Sequence, residues 1–192
     1  MIKLSDITKI ISGTPRFRIT KSNDAQSPIY VFYSQTDLSD DLVDLLTKDT
    51  DNKSIQTKDK VDTLCKGDIV FSLISGTASI VREKHEGYLY TQNYVKLIPN
   101  EMIDQQFLVY MLNQNKVVKK QLLKGLQGSD VLKYTLKQLK NLEMPLLPSL
   151  ERQEAIGKIY FDQLRLQALK NRIANLETTI LLDKIEGETK NE

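Results

Sequence analysis

A run of hydroxylic residues around a single glycine interrupts an apolar stretch near the middle of the chain. The stretch, residues 67–81, reads GDIVFSLISGTASIV, and Ser75, Gly76 and Thr77 form its polar centre. A serine in a glycine-rich turn behind a strand is typical of the nucleophile elbow of hydrolases, which requires the pattern G-x-S-x-G. Leu73 occupies the position of the first glycine, the residue that lets the chain turn sharply enough to expose the serine. The sequence therefore does not support a catalytic serine here.

Two other interpretations fit this stretch. One is a bend or bulge between two strands of a curved sheet, where glycine is commonly found. The other is a binding loop whose hydroxyls and backbone amides donate hydrogen bonds to phosphates or to base edges. Both need a strand on each side, and the apolar segments 69–74 and 79–82 predict them.

The sequence lacks the other common catalytic patterns. It contains neither the phosphate loop G-x-x-x-x-G-K-[ST] nor G-x-G-x-x-G behind a strand. Because the chain has one cysteine, Cys65, and one histidine, His85, it cannot build a disulfide framework or a zinc site with the usual ligands. His85 lies in the polar turn 83–87, where we expect a solvated side chain. The one E-x-K string of the nuclease type lies in the charged tail, at 188–190, so we expect no catalytic centre, metal or cofactor.

Composition and charge are those of an ordinary globular protein. The 192 residues are 40% hydrophobic and 27% charged, with a net charge of +2. No apolar run approaches the ~20 residues of a membrane helix, and the first residues lack the apolar core of a signal peptide, so we expect a cytoplasmic protein. Lysines concentrate between residues 102 and 148, and three of them, Lys116, Lys120 and Lys124, recur every four residues. On a helix they share one face, either as a solvated surface or as a surface that follows DNA phosphates.

The chain divides into a mixed region and a helical tail. At the start, Leu4, Ile7, Ile10 and Ile11 have helical spacing, and Gly13 ends that pattern. The remaining pattern predicts these elements: strands at 29–33, 69–74, 79–82 and 88–98, helices at 38–46 and 105–124, and a short helix from Thr135 to about Met144. In the helix 105–124 the expected buried side chains are Phe107, Leu108, Met111 and Leu112.

A heptad pattern sets the tail apart. No proline occurs between residues 150 and 186. This segment predicts a helix of about 37 residues that is roughly 55 Å long. One apolar column is Ile159, Leu166, Ile173 and Ile180, and the interleaved column is Leu169 and Leu176. Asp162 and Asp183 limit the strict seam to residues 166–180. Since the chain offers no second helix of that length, we expect a homodimer through Leu166, Leu169, Ile173, Leu176 and Ile180.

Four ordered fragments carry a family resemblance. They are Leu4-Ser5-Asp6-Ile7 with Ser12-Gly13-Thr14-Pro15, then Lys66-Gly67-Asp68-Ile69-Val70, then Thr91-Gln92-Asn93, and finally residues 139–156, LKNLEMPLLPSLERQEAI. Together, and most specifically through the last one, they resemble the DNA specificity subunit of type I restriction-modification systems.

The resemblance implies an architecture and a role. It implies an α+β target recognition domain with a curved sheet at residues 1–148, a spacer and dimerisation helix at 149–187, and a charged tail at 188–192. Family chains usually carry two such units, whereas this chain carries one and resembles a half-subunit. The implied protein reads a bipartite site in double-stranded DNA and is not an enzyme. Methyltransferase and restriction subunits would be its partners and would carry the S-adenosylmethionine and ATP sites.

The resemblance also suggests which residues face DNA. The candidates are Arg16, Arg18, Tyr33, Ser34, Gln35, Ser75, Thr77, Lys120, Lys124, Gln127, Ser129 and Lys133. Arginine and glutamine can make bidentate contacts to guanine and adenine, whereas lysines mainly hold the phosphate backbone. The alternative is an interaction protein of the same fold, a decoy or regulator, that no longer reads DNA.

Overall fold

The computed structural model describes residues 2–46, 52–125 and 133–189. Its strands are β1 (Ile2–Lys3), β2 (Thr8–Ser12), β3 (Ile29–Val31), β4 (Ser54–Gln56), β5 (Ile69–Ser72), β6 (Ala78–Ile80), β7 (Tyr94–Pro99) and β8 (Glu143–Met144). Its α-helices are α1 (Leu4–Ile7), α2 (Gln35–Val43), α3 (Gln105–Gln114), α4 (Lys116–Lys124), α5 (Leu136–Lys140) and α6 (Leu150–Thr189). Two 3-10 turns lie at Arg16–Arg18 and Glu83–His85. The fold is α+β with a long C-terminal helix, as the sequence predicted.

A four-stranded antiparallel sheet with the order β2-β7-β5-β6 forms the centre of the domain. Strand β5 is buried along its whole length, and its Ile69 is paired with Leu97 on one side and Ile80 on the other. These apolar side chains pack against α1, α3 and α4 in the main core. Two small sheets, β1-β8 and β3-β4, complete the described strands.

The polar stretch of residues 73–77 is the connection between β5 and β6. The amide of Gly76 donates to the carbonyl of Ser72 at 2.9 Å, and the amide of Ser72 donates to the carbonyl of Thr77 at 2.8 Å. Gly76 has a φ of 65°, and a Cβ there would lie 2.4 Å from the ring of Tyr134. Glycine is therefore required both by the turn and by the packing. The interpretation as a bend between two strands is confirmed, with the strands slightly shorter than predicted.

The N-terminal helix is much shorter than predicted. It ends at Ile7, and the chain continues directly into β2, where Ile10 pairs with Leu97 and Ile11 with Lys96. The helical spacing of the four apolar residues was misleading, because β-branched Thr8, Ile10 and Ile11 favour a strand once a partner strand is present.

The predicted helix 105–124 is two helices. Asn115 has an extended conformation between them, and its side chain accepts hydrogen bonds from the amides of Val117 and Val118 at 3.0 and 3.2 Å. Asparagine competes well for such N-cap positions, and this explains the break. The four core residues predicted for this segment are buried.

Helix α6 is 40 residues long, and its buried and half-buried side chains lie in its N-terminal half, up to Ala168. Buried Gln153 fixes the start of the helix: its Oε1 accepts from the amide of Asp104 at 3.0 Å, and its Nε2 donates to the carbonyls of Pro148 and Met102 at 2.9 and 3.2 Å. From Leu169 to Gly187 the described side chains are exposed. No helix among the described residues is both long and apolar enough to cross a membrane.

Candidate nucleic-acid interface

Loops at one end of the sheet enclose a pocket of about 460 Å³, called the loop pocket below. Arg16 and Lys53 supply its positive charge, and Gln92 and Asn93 supply amide groups. Its remaining lining residues are Phe32, Tyr33, Ser34, Asn52, Thr91 and Tyr94. Cations, planar amides and aromatic rings in one concave surface are the groups that bind phosphates and base edges.

Close backbone packing brings two of the family-like fragments together beside this pocket. A Cβ on Gly13 would lie 2.4 Å from the carbonyl oxygen of Thr91, so only glycine fits. The amide of Gly13 donates to the carbonyl of Tyr94 at 3.1 Å, and Thr14 forms a bridge with Thr91. The segment 12–15 thus carries Arg16 to the pocket rim.

Lys133 joins the same end of the domain. Its ammonium group donates to the side-chain oxygen of Asn93 at 2.7 Å. The amide of Leu73 donates to the carbonyl of Asn93, and the amide of Tyr134 donates to the carbonyl of Leu73, at 2.8 and 2.9 Å. The β5–β6 turn, the 91–93 turn and the Lys133 segment are therefore held together by hydrogen bonds.

The two arginines of the basic loop are exposed. The guanidinium of Arg16 lies over the ring of Phe32 at 4.8 Å, and that of Arg18 lies over the ring of Phe17 at 5.8 Å. Stacking on a ring orients the plane of the guanidinium and leaves its N–H edge free to meet a base or a phosphate.

The hydrogen-bonding groups of Tyr33, Ser34 and Gln35 are engaged within the protein. The Tyr33 hydroxyl donates to Asp41 at 2.6 Å, and the Gln35 amide donates to the Ser72 hydroxyl and the Tyr94 hydroxyl at 2.8 and 2.9 Å. Ser34 caps α2. Tyr33 and Ser34 line the loop pocket, and Gln35 supports it through its hydrogen bond to Tyr94. Direct contact of these three residues with DNA stays a prediction.

The other candidates occupy different environments. Ser75 is exposed in the β5–β6 turn, whereas Thr77 is half-buried. Gln127 and Ser129 lie outside the described residues. Lys120 and Lys124 are exposed on α4. Together with Lys116, Lys119 and Leu123, they line a shallow groove with a volume of about 560 Å³, called the lysine groove below.

His85 is buried, and the prediction of a solvated side chain was wrong. It is 3% exposed, with Nδ1 2.7 Å from Oδ1 of Asp41 and Nε2 3.4 Å from Oδ1 of Asp37. Burial alone lowers the pKa of His85, but the hydrogen bond to Asp41 and the negative charges of Asp41, Asp37 and Asp40 outweigh that effect. The pKa of His85 therefore lies above its ordinary value.

The tyrosines around the loop pocket remain protonated at neutral pH. Burial raises the pKa of Tyr94 to about 12, although the hydrogen bond from Gln35 opposes the rise. Burial, reinforced by the charge of Asp41, raises the pKa of Tyr33 well above its ordinary value. Both phenols can therefore act as hydrogen-bond donors throughout the physiological range.

Several pocket residues were not among the sequence candidates. Asn52 and Lys53 lie in a polar segment that looked like an ordinary surface loop. Gln92 and Asn93 were visible in a family-like fragment, and their amides were the signal that could have identified them. No local sequence pattern indicated that His85, Asp37 and Asp41 would come together.

The apolar seam of α6 is exposed on the single chain. The exposed fractions of its five residues run from 37% at Leu169 to 56% at Ile173. At 3.6 residues per turn, the seam is centred about 140° around the helix from the face of Gln153, Gly157 and Phe161 that packs on the domain. Leu166, Leu169, Ile173 and Ile180 therefore face away from the chain's own domain, whereas Leu176 borders a groove between α6 and the α2 segment.

The described residues contain no group of three or more histidine, cysteine or carboxylate side chains arranged to hold a metal ion. The cluster around His85 is held instead by hydrogen bonds and ion pairs within the protein.

Comparison with known proteins agrees with this architecture. A solved HsdS subunit from Thermoanaerobacter tengcongensis is 20% identical with a TM-score of 0.57, covering 90% of this chain and 39% of that one. A structure reported for complex assembly and conformational transition of the type I R-M system is 21% identical with a TM-score of 0.59, covering 96% and 43%. The type I S subunit from M. genitalium is 18% identical with a TM-score of 0.51, covering 95% and 42%.

The chain thus spans about two fifths of the length of these solved chains. No curated protein sequence shows a significant match. The model of the type I restriction modification DNA specificity domain matches residues 1–178. The chain therefore belongs to the family of type I restriction-modification DNA specificity domains.

Proposed function

We propose that this chain reads one half of a bipartite site in double-stranded DNA and delivers that specificity to catalytic partner subunits. The observation that carries the proposal is the loop pocket, where Arg16, Lys53, Gln92 and Asn93 meet on one surface beside Lys133. Hydrogen bonds and a glycine contact fix the loops that carry these groups, so the backbone from which the side chains project is held in place without DNA.

The groups divide into two roles. The guanidinium of Arg16 can form two hydrogen bonds to guanine, and the amide of Gln92 can form two to adenine. Lys53, Lys133 and the lysine groove suit contacts to phosphates, which set the register without reading sequence. Ser75 is exposed on the adjoining β5–β6 turn, and we propose that it belongs to the same interface.

Two copies pair through α6 in this proposal. The seam side chains are 37–56% exposed, so burying the rest of each contributes about half of the roughly 1.5–3 kcal/mol that full burial supplies, before the cost of association. Antiparallel pairing related by a two-fold axis places the two domains at opposite ends of the paired helices. The preferred site is then an interrupted palindrome, with the helix pair setting the distance between half-sites.

Chemistry belongs to the partner subunits in this proposal. The chain is a non-catalytic cytoplasmic subunit, and methyl transfer and any cleavage occur on methyltransferase and restriction subunits. Residues 1–148 act as the target recognition domain, 149–187 as the spacer and dimerisation helix, and 188–192 as a charged tail.

The test is selection of bound duplexes from a random library by the purified chain, followed by methylation mapping with its methyltransferase subunit. We expect both methods to return one two-part sequence with a fixed spacer. Enriched duplexes without a common sequence, or no salt-dependent binding, would instead favour a decoy or regulator of the same fold. A protein with Arg16→Ala and Gln92→Ala is the control for selection through the loop pocket.

A further inference from the structure

Two buried carboxylates hold three residues of the loop-pocket wall. Asp37 accepts hydrogen bonds from the Ser34 hydroxyl at 2.7 Å and from the Asn52 side-chain amide at 2.9 and 3.0 Å. Asp41 accepts from the Tyr33 hydroxyl at 2.6 Å. Tyr33, Ser34 and Asn52 all line the loop pocket. The position of this wall therefore depends on where the two carboxylates are held.

His85 lies between these carboxylates. An imidazole that carries a proton on both nitrogens can donate a hydrogen bond to Asp41 at 2.7 Å and form an ion pair with Asp37, whose Oδ1 lies 3.4 Å from Nε2. A neutral imidazole has a single N–H and leaves one nitrogen lone pair facing a carboxylate. Losing the proton also removes the positive charge that balances the buried aspartates.

Other charged groups surround the cluster. From α2, Asp40 adds negative charge near the imidazole. The backbone amide of Arg82 donates to the Asp41 carboxylate at 3.0 Å, and its Nε–H donates to the backbone carbonyl of Asp41 at 3.1 Å. The rings of Tyr33 and Tyr88 lie 6.0 and 5.1 Å from that of His85. The cleft on the remaining side is lined by Asp44, Lys66, Glu83, Lys84 and, from α6, Arg172. His85 is the side chain in this set whose ordinary pKa lies nearest neutrality.

We propose that protonated His85 is the positioning residue of the loop pocket, holding Asp37 and Asp41 so that Ser34, Asn52 and Tyr33 keep the shape that binds DNA. The proposal rests on the DNA recognition proposed above and adds a proton requirement to it. Recognition is then strongest when His85 is charged and weakens as it loses its proton.

The experiment combines DNA affinity with nuclear magnetic resonance between pH 6 and 9. Since the chain has one histidine, its imidazole signal reports His85 without ambiguity. We expect duplex affinity to fall about fivefold or more as the pH rises, which is a typical coupling between two sites. The midpoint of this fall should coincide with the midpoint of the His85 titration. The backbone signal of Ser34 and the side-chain amide signal of Asn52 should follow the same curve. By reciprocity, bound DNA should increase the proton affinity of His85 by the same factor.

Variants separate positioning from general charge effects. His85→Gln should bind at every pH as weakly as the wild type does at pH 9. Lys84→Gln removes a neighbouring exposed charge and should keep the wild-type pH profile, and Cys65→Ser controls for the exposed thiol. If His85→Gln fails to fold, the wild-type curves decide the question.

The outcomes are distinct for the two proposals. Duplex affinity that stays constant while His85 loses its proton overturns the positioning role. A His85 pKa below that of an ordinary histidine overturns it as well. If the wild type binds no duplex at any pH, DNA recognition is refuted. The positioning role then stands only if the Ser34 and Asn52 signals follow the His85 titration, and it fails if they do not.

Discussion

Gly157 of α6 lies directly against the backbone of Phe107 in α3: a Cβ on Gly157 would be 2.7 Å from the amide nitrogen of Phe107. It would also be 2.6 Å from the Cβ of Gln106. Neither neighbour is the flexible end of a side chain, so the two helices must separate to admit a methyl group. This close approach sets how tightly the long helix docks on the domain.

Gly157→Ala should therefore destabilise the protein. Overpacking costs about 1–3 kcal/mol in the free energy of unfolding, offset in part by about 1 kcal/mol from the better helix propensity of alanine. Gly187→Ala in the same helix is the matched control, since no atom outside the neighbouring helix backbone lies within 4 Å of its added Cβ. Urea unfolding measures both. A Gly157→Ala protein as stable as the Gly187→Ala protein would contradict the close approach of the two helices.

Leu169→Glu with Ile173→Glu should convert a dimer into a monomer. Both side chains lie on the exposed seam, and two charges there cannot be buried against an equivalent helix without a large desolvation cost. Light scattering measures the mass. Gln167→Glu with Ala174→Glu places the same number of charges away from the seam and should leave the dimer intact. A monomeric wild type, or a seam variant that stays dimeric, would rule out this interface.

Deleting one heptad, residues 170–176, should shorten the spacer of the DNA site. Seven helical residues correspond to about 10 Å, or roughly three base pairs, along the pair of helices. Methylation mapping with the partner subunit reads the new spacer directly, provided that the changed helical phase is tolerated. An unchanged spacer would show that α6 does not set the distance. A continuous, asymmetric target would contradict the two-fold arrangement even in a dimer.

Lys120→Glu with Lys124→Glu should weaken binding to all duplexes similarly. For each lysine that no longer neutralises a phosphate, the salt slope should fall by about one. Arg16→Ala should instead cost about 1–3 kcal/mol on the preferred sequence and relax the preference at one base pair. Fluorescence anisotropy at several salt concentrations distinguishes the two effects. Lys84→Glu with Lys158→Glu is the control, because it changes the net charge by the same amount at lysines outside the lysine groove. Unchanged affinity and slope in the α4 variant would mean that the lysine groove is only solvated surface.

The stability of the fold should fall as the pH rises above neutrality. The pKa of His85 is raised in the folded protein, so the proton is bound more tightly there than in the unfolded chain. Its stabilising contribution is complete below the unfolded pKa of about 6.5 and disappears as the pH passes through the folded value. Urea unfolding of wild type and His85→Gln between pH 6 and 9 tests this. If the free energy of unfolding depends on pH equally in both proteins, groups other than His85 cause the loss of stability.

Local patterns in the sequence were sufficient for much of the architecture. The apolar segments around residues 69–74 and 79–82 became β5 and β6, and Phe107 and Leu108 are buried as predicted. Leucine and isoleucine at heptad spacing predicted the long helix, and they are exposed in the single chain. Side-chain periodicity encodes these features because it records which face of an element avoids water. The helical spacing of Leu4, Ile7, Ile10 and Ile11 failed as a guide, since a strand partner outweighed the weak local preference.

The sequence by itself determined the α+β class, the long helix with its apolar seam, and the order of the family-like fragments. Only the tertiary structure decided which loops meet in the loop pocket and that His85 is buried. Asp41 lies 44 residues before His85, and Lys133 lies 40 residues after Asn93, so no local pattern links the members of either pair. A histidine flanked by charged residues looks solvated until distant carboxylates are brought against both of its nitrogens. Their approach follows from folding of the whole domain, because burial of the core places α2 beside the turn that carries His85.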